Sequence, residues 1–90
     1  MMEERLYVDG DWRQKEQTMA VRDLADGGTF AHVAAADQSD ADDAIAAAER
    51  AQAPMRETTP VQRAEWLEAI ADAIEERDAE LTDVIVREAG

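Results

Sequence analysis

The sequence predicts an α+β fold, with β-hairpins over residues 5–36 followed by two or three helices over residues 37–90. Two observations predict this order. Runs of β-forming residues separated by glycine-containing turns fill the first third, and after Asp37 apolar residues recur at helical spacing. No internal repeat or linker divides the 90 residues, so we expect a single piece.

Two hairpins are expected in the first region. The first covers residues 5–13 and turns at Asp9-Gly10, a dipeptide that accepts the positive φ of a two-residue turn. The second joins an extended stretch at 18–23 to a strand at 29–34 through Asp26-Gly27-Gly28. Because two-stranded hairpins are seldom stable alone, we expect them to pack against a partner surface.

The first predicted helix begins near Ser39, which can cap it, with Asp42 in the capping-box position three residues later. Pro54 is expected to end this helix or to follow its end closely. Its apolar side is rich in alanine, which allows close approach of another backbone and suits packing into a larger body. The members of this stripe are Ala41, Ala44, Ile45, Ala48 and Ala51.

The second predicted helix has the clearest start signal in the chain. Thr59 caps it, Pro60 suits the first helical position, and Gln62 can reach back to the cap. Asp78 restarts or continues the helix and places Leu81, Val84 and Ile85 on one face. The apolar stripe of the second helix is Leu67, Ile70, Ala71 and Ile74, and its solvent side carries Glu65, Glu68, Asp72, Glu75 and Glu76.

The charge balance is strongly acidic. There are 22 acidic and 9 basic residues, giving a net charge of −13, and Lys15 is the only lysine. Nineteen of the hydrophobic residues are alanine, so the core is thin. Acidic side chains repel over about 8 Å at ordinary ionic strength but only about 3 Å at 1 M salt. This composition favours a protein adapted to concentrated salt; the alternative is a disordered acidic tail, which seldom carries such helix signals.

The same composition argues against several classes of function. Phosphates of nucleic acid would be repelled, and no apolar run reaches the roughly 20 residues of a membrane span. The first residues lack the basic start and apolar stretch of a signal peptide, so a cytoplasmic location is expected. The absence of cysteine excludes disulfides, thiolate metal sites and a thiol nucleophile within these residues.

Candidate functional residues are few, and each has a simpler structural interpretation. Adjacent carboxylates are unavoidable in so acidic a chain, and the single histidine has no second nitrogen or sulfur ligand nearby. The single serine is explained as a cap, the paired glycines as a turn, and the tryptophans as packing anchors. We therefore predict no catalytic, cofactor-binding or metal-binding residue among Trp12, Gly27-Gly28, His32, Ser39, Asp42/Asp43, Trp66 and Glu75/Glu76.

The order of segments resembles the N-terminal part of the aldehyde dehydrogenase superfamily over about residues 5–90. Leu6–Trp12 resembles the family's opening hairpin, with a hydrophobic pair, glycine, an acidic residue and tryptophan. Residues 60–77 are similar to its "P-x-x-R-x-x-x-L-x-x-x-A-x-x-I-x-x-R" helix, and 86–90 to its "E-x-G" element, after which members continue with Lys-Pro. One departure is Asp23-Leu24, where many members have Asn-Pro.

The resemblance implies NAD- or NADP-dependent oxidation of an aldehyde to a carboxylic acid. In that family a cysteine attacks the aldehyde and a glutamate activates the water that releases the acid. Those residues lie beyond Gly90, so the chain alone is expected to bind no cofactor and to be inactive. The resemblance also implies that residues 1–90 are a truncated portion of a larger α/β domain, on the periphery of the family's nucleotide-binding domain. The expected partner is the remainder of the dehydrogenase chain, in a homo-oligomer.

Two further expectations accompany the resemblance. Some family members hold a monovalent cation through backbone oxygens, and Val21 and Arg22 are the nearest matches to that position. The alternative to the enzyme fragment is a stand-alone acidic interaction module, or a gene remnant, that uses its alanine-rich helix face.

Overall fold

The computed structural model describes residues 2–90 and confirms the α+β class, with the strands preceding the helices. Five short strands form two small sheets, of order β1-β5-β4 and β2-β3. The elements are β1 (Met2–Glu4), β2 (Leu6–Val8), β3 (Asp11–Arg13), β4 (Thr18–Arg22), β5 (Thr29–Ala34), α1 (Gln38–Glu57), α2 (Pro60–Glu76) and α3 (Asp78–Ala89).

The first hairpin has the predicted turn. Strands β2 and β3 are antiparallel, and Asp9 and Gly10 form the two-residue loop with φ values of 52° and 82°. These positive values match the right-handed twist of the flanking strands. On the outer face, Tyr7 and Trp12 lie directly opposite each other, with ring centroids 4.9 Å apart in an edge-to-face arrangement.

The second hairpin is also present, and it is joined by a strand that was not predicted. Strands β4 and β5 are antiparallel, and the turn between them is closed by the Asp23 amide, which donates to the Gly28 carbonyl at 2.7 Å. Strand β1 pairs with β5 in parallel. The N-terminal Met-Glu-Glu sequence gives no strand signal because its side chains are all exposed and its ladder partner lies about 30 residues away.

Helix α1 differs from its prediction at both ends. Its cap is Asp37, not Ser39: the Asp37 carboxylate accepts from the Asp40 amide at 2.9 Å, and the Asp40 carboxylate accepts from the Asp37 amide at 3.0 Å. Pro54 lies inside the helix, which continues to Glu57. Only the last turn follows Pro54, so the one backbone hydrogen bond that proline cannot donate is tolerated there.

Helix α2 begins as predicted. The Gln62 amide donates to Thr59 Oγ1 at 3.1 Å, the Thr59 amide donates to Gln62 Oε1 at 2.9 Å, and Pro60 follows the cap. This reciprocal pair satisfies two backbone amides that the first helical turn leaves without partners.

Replacing Thr59 by alanine is expected to destabilise the chain by about 1 kcal/mol, because the Gln62 amide loses its acceptor. Urea unfolding in molar KCl, followed by circular dichroism, measures this loss. Thr82→Ala in exposed mid-helix α3 is the matched control and should change stability by less than about 0.5 kcal/mol. Equal effects of the two substitutions would contradict the capping role.

A separate helix, α3, begins at Asp78, which is the first of the two predicted alternatives, a new helix or a continuation of α2. Helix α3 packs against the second hairpin. The Leu24 amide donates to the Arg87 carbonyl at 2.9 Å, and the Arg87 guanidinium lies 5.9 Å from the Phe30 ring centroid. Leu81 and Val84 are half-buried on this side, whereas Ile85 is exposed. The predicted three-residue face is therefore only partly covered.

The core formed by residues 2–90 is very small. The buried residues are Ala31, Ala34 and Asp40, and no large side chain is fully buried. The radius of gyration is 16.7 Å, compared with about 12 Å for a compact 90-residue domain. The elements are thus arranged as an open layer whose apolar surfaces need further cover.

Candidate functional site: an ionic cluster and uncovered helix faces

Five charged side chains form a cluster where the chain leaves the first hairpin and enters α1. Arg13 donates from Nη1 to Asp40 Oδ1 at 3.1 Å and to Asp43 Oδ2 at 2.8 Å. Lys15 Nζ lies 2.9 Å from Asp40 Oδ2 and 3.2 Å from Asp37 Oδ2. Asp40 is only 5% exposed, and both of its carboxylate oxygens have partners among these neighbours, so the cluster has a structural role.

The contacts in this cluster stabilise the charged forms of Asp40, Arg13 and Lys15. The hydrogen bond from the Asp37 backbone amide, followed by that from Lys15, holds the pKa of Asp40 well below its usual range. Hydrogen bonds to Asp43 and Asp40 raise the pKa of Arg13, and those to Asp40 and Asp37 raise the pKa of Lys15. None of these three groups is thereby made a better proton donor or nucleophile near neutral pH, because Asp40, Arg13 and Lys15 are each held ionised.

Helix α1 faces the first hairpin with its charged side. Besides Asp40 and Asp43 near its start, Arg50 reaches Asp9 at the hairpin tip, with Nη2 2.9 Å from Oδ2. The predicted alanine stripe lies on the other side and is not covered within residues 2–90. Its five members are all exposed: Ala41, Ala44, Ile45, Ala48 and Ala51. Ion pairs therefore link the first hairpin to the side of α1 that lies away from the stripe.

Helix α2 also leaves its apolar side uncovered. Trp66, Leu67, Ile70 and Ile74 are all at least half exposed and lie within an arc of about 100° around the helix axis. The predicted acidic residues lie on the opposite side: Glu65, Glu68, Asp72, Glu75 and Glu76. The helix is therefore strongly two-sided, with its apolar side open.

The other candidate residues are dispersed and do not meet in one place. His32 lies in β5 opposite Glu3 of β1, and Ser39 is exposed in the first turn of α1. Asp42 accepts from Gln38 Nε2 at 2.9 Å, while its neighbour Asp43 belongs to the Arg13 cluster. Trp12 and Trp66 are exposed by 59% and 50%, so neither anchors a core within these residues.

The residues predicted from sequence did not include Arg13, Lys15, Asp37 or Asp40. Asp40 lies 27 residues from Arg13 along the chain, and its spacing from Asp37 was the only local signal for the cluster. A search for Asp-x-x-Asp as a capping box would have found that signal.

The described residues do not fit a dinucleotide cofactor. A cofactor pyrophosphate needs a glycine-rich turn that opens a helix, whereas Gly27 and Gly28 lie in a turn that leads into strand β5. The depression beside His32, about 390 Å³, is open and includes Glu3 and Glu4 in its wall. Within residues 2–90 there is also no group of three or more metal-ligating side chains.

Positions Val21 and Arg22, the nearest matches to a family cation site, lie at an irregularity in the β4–β5 ladder. Residues 2–90 include no helix with the combined length and apolar character that a membrane crossing requires.

Comparison with known proteins agrees with the resemblance seen in the sequence. The aldehyde dehydrogenase family model matches residues 12–90. The chain is 33% identical, over its whole length, to 2-aminomuconic 6-semialdehyde dehydrogenase from a Pseudomonas species. It is 34% identical, over 94% of its length, to lactaldehyde dehydrogenase of Escherichia coli K12. The chain spans 18% of the length of each of these relatives, and it belongs to the aldehyde dehydrogenase family.

Proposed function

We propose that this chain is the N-terminal portion of an NAD(P)-dependent aldehyde dehydrogenase, which oxidises an aldehyde to a carboxylate. The observation that carries the proposal is the family match over residues 12–90, together with two dehydrogenase relatives about five times as long. In the whole enzyme, which is expected to be a homo-oligomer, this portion has a structural task. It supplies a peripheral layer of hairpins and helices.

The chemistry of the reaction belongs to the rest of the enzyme. Oxidation requires a nucleophile for the aldehyde carbon and an acceptor for the hydride, and the family uses a cysteine and a nicotinamide for these roles. This chain has no cysteine, and its turns do not fit a pyrophosphate. The whole enzyme is expected to work in the cytoplasm of an organism that accumulates salt, where the net charge of −13 carried by these 90 residues is screened.

The purified 90-residue chain is expected to show no aldehyde oxidation with NAD or NADP, because it lacks the nucleophile. Absorbance of the reduced nicotinamide measures the rate, in dilute buffer and in molar KCl, with a complete aldehyde dehydrogenase as the positive control. Aldehyde oxidation faster than in the absence of protein would overturn the proposal that the catalytic groups lie in the rest of the enzyme.

The gene itself tests the wider proposal. An in-frame continuation after Gly90, beginning with Lys-Pro and extending for several hundred residues, supports a dehydrogenase; this length follows from the 18% coverage of the relatives. A stop codon directly after Gly90 would favour the stand-alone acidic module instead.

A further inference from the structure

The sequence contains two Asp-Gly dipeptides, Asp9-Gly10 and Asp26-Gly27. Both lie in turns: the first connects β2 to β3, and the second lies between β4 and β5. An aspartate that precedes glycine is open to attack on its side-chain carboxyl carbon by the next backbone nitrogen, because glycine has no Cβ to obstruct the ring that forms. The two dipeptides share this intrinsic chemistry, so a difference in their reactivity must come from the fold.

The second dipeptide is held at both of its reacting groups. The Gly27 amide, which would have to attack, donates to the Asp23 carbonyl at 2.8 Å. The carboxylate of Asp26 accepts from the Gly28 amide through Oδ1 at 2.7 Å, so the carboxyl group is directed towards Gly28. Both hydrogen bonds have to open before the ring can close at this site.

The first dipeptide is held through an exposed ion pair. Asp9 Oδ2 lies 2.9 Å from Arg50 Nη2, and the two side chains are 61% and 63% exposed. An ion pair this exposed contributes little and is screened by salt. Asp9 also has a φ of 52°, in the left-handed region that is less stable for aspartate than for glycine, so departure from the turn relieves it. The Asp9 carboxyl group is therefore the less restrained of the two.

We propose that Asp9-Gly10 is a site of spontaneous aspartate isomerisation, whereas Asp26-Gly27 is protected by its turn. In the first step the Gly10 nitrogen bonds to Asp9 Cγ, and the amide hydrogen and the carboxyl OH leave together as one water molecule. In the second step one water molecule opens the five-membered imide ring at either carbonyl. Opening at the former backbone carbonyl gives isoaspartate, and neither step needs an oxidant or a reductant.

Isomerisation at this position changes the first hairpin. Isoaspartate carries the backbone through its side-chain methylene and so lengthens the two-residue loop by one carbon atom. The longer loop no longer fits the register in which Tyr7 lies opposite Trp12, with ring centroids 4.9 Å apart. The free carboxylate also moves to the former backbone position, away from Arg50. The modification therefore loosens both the hairpin and the contact of its tip with α1.

The test compares the two sites within one molecule. The purified chain is incubated near neutral pH in molar KCl and, in parallel, in concentrated urea. Trypsin cleavage after Arg13 and Arg22 separates the sites, and electron-transfer fragmentation of the peptides quantifies isoaspartate at each. In KCl, isoaspartate is expected at Asp9 roughly tenfold or more faster than at Asp26, the factor for opening two ordinary hydrogen bonds.

The urea sample is the matched control, because unfolding removes the hydrogen bonds of one site and the ion pair of the other. The two rates should be similar there. Similar rates in KCl as well, or a faster reaction at Asp26 in KCl, would overturn the proposal. The isomerised chain, separated from its parent, should also show weaker near-ultraviolet circular dichroism in KCl as Tyr7 and Trp12 lose their alignment. An unchanged spectrum would overturn the effect on the hairpin.

Discussion

Raising KCl to molar concentration is expected to convert the isolated chain from weakly structured to largely helical. The chain carries 22 carboxylates, and five of them lie along one side of α2. In dilute buffer their repulsion opposes a fold whose buried residues are two alanines and an aspartate. At about 1 M salt the screening length falls to about 3 Å, shorter than most distances between surface charges, so this opposition is largely removed.

Circular dichroism over a KCl titration measures this gain of helix. The triple variant Glu65→Gln, Glu68→Gln, Asp72→Asn, which removes three negative charges from α2, is expected to reach the same helix content at a lower KCl concentration. A coil-like spectrum at every KCl concentration would favour the disordered acidic tail. A fully helical spectrum in dilute buffer would show that repulsion does not limit folding.

Asp40→Asn is expected to be the most destabilising single loss of charge in the chain, lowering the melting temperature in molar KCl by about 10 °C. The substitution leaves Arg13 and Lys15 facing a neutral amide in a place where their partner was buried. Asp42→Asn is the matched control, because Asp42 is an exposed residue of the same helix and accepts a hydrogen bond from the neutral side chain of Gln38. The control removes one negative charge from an acidic chain and should be neutral or slightly stabilising.

The same substitution should change how stability depends on pH. Because the folded pKa of Asp40 lies below its unfolded value of about 3.9, its contribution is fully present above that value. The contribution is lost progressively as pH falls through the folded pKa. Below pH 4 the melting temperature should therefore fall more steeply with decreasing pH for the parent chain than for Asp40→Asn. Parallel curves of melting temperature against pH would contradict a stabilising role of the Asp40 carboxylate.

The features predicted correctly from the sequence depend on neighbouring residues. Asp9-Gly10 specifies a two-residue turn, and Thr59 with Gln62 specifies a helix start, because the interacting groups are within three residues of each other. Backbone conformation and local hydrogen bonds decide such features with little help from tertiary contacts. The two hairpins and the second helix start could accordingly be placed before the structure was known.

The features that could not be predicted depend on distant partners. Ser39 and Asp37 are both good helix caps, and Asp37 is used because Asp40 completes the reciprocal box while Arg13 and Lys15 neutralise it. The contacts of α1 with the first hairpin, through Asp40, Asp43 and Arg50, likewise depend on residues about 30 to 40 positions away and leave no periodic pattern in the helix. Strand β1 exists only through its pairing with β5 and leaves no pattern in its own sequence.

Because Lys15 is the only lysine, the Asp40 cluster also gives the chain a natural chemical reporter. Apart from the α-amino group, Lys15 Nζ is the one aliphatic amine of the chain that an acylating reagent can modify. In the folded chain this amine is held charged between Asp37 and Asp40, and only the neutral form is nucleophilic. The rate of acylation at a single position thus follows the opening of the contact between the first hairpin and α1, without any introduced label.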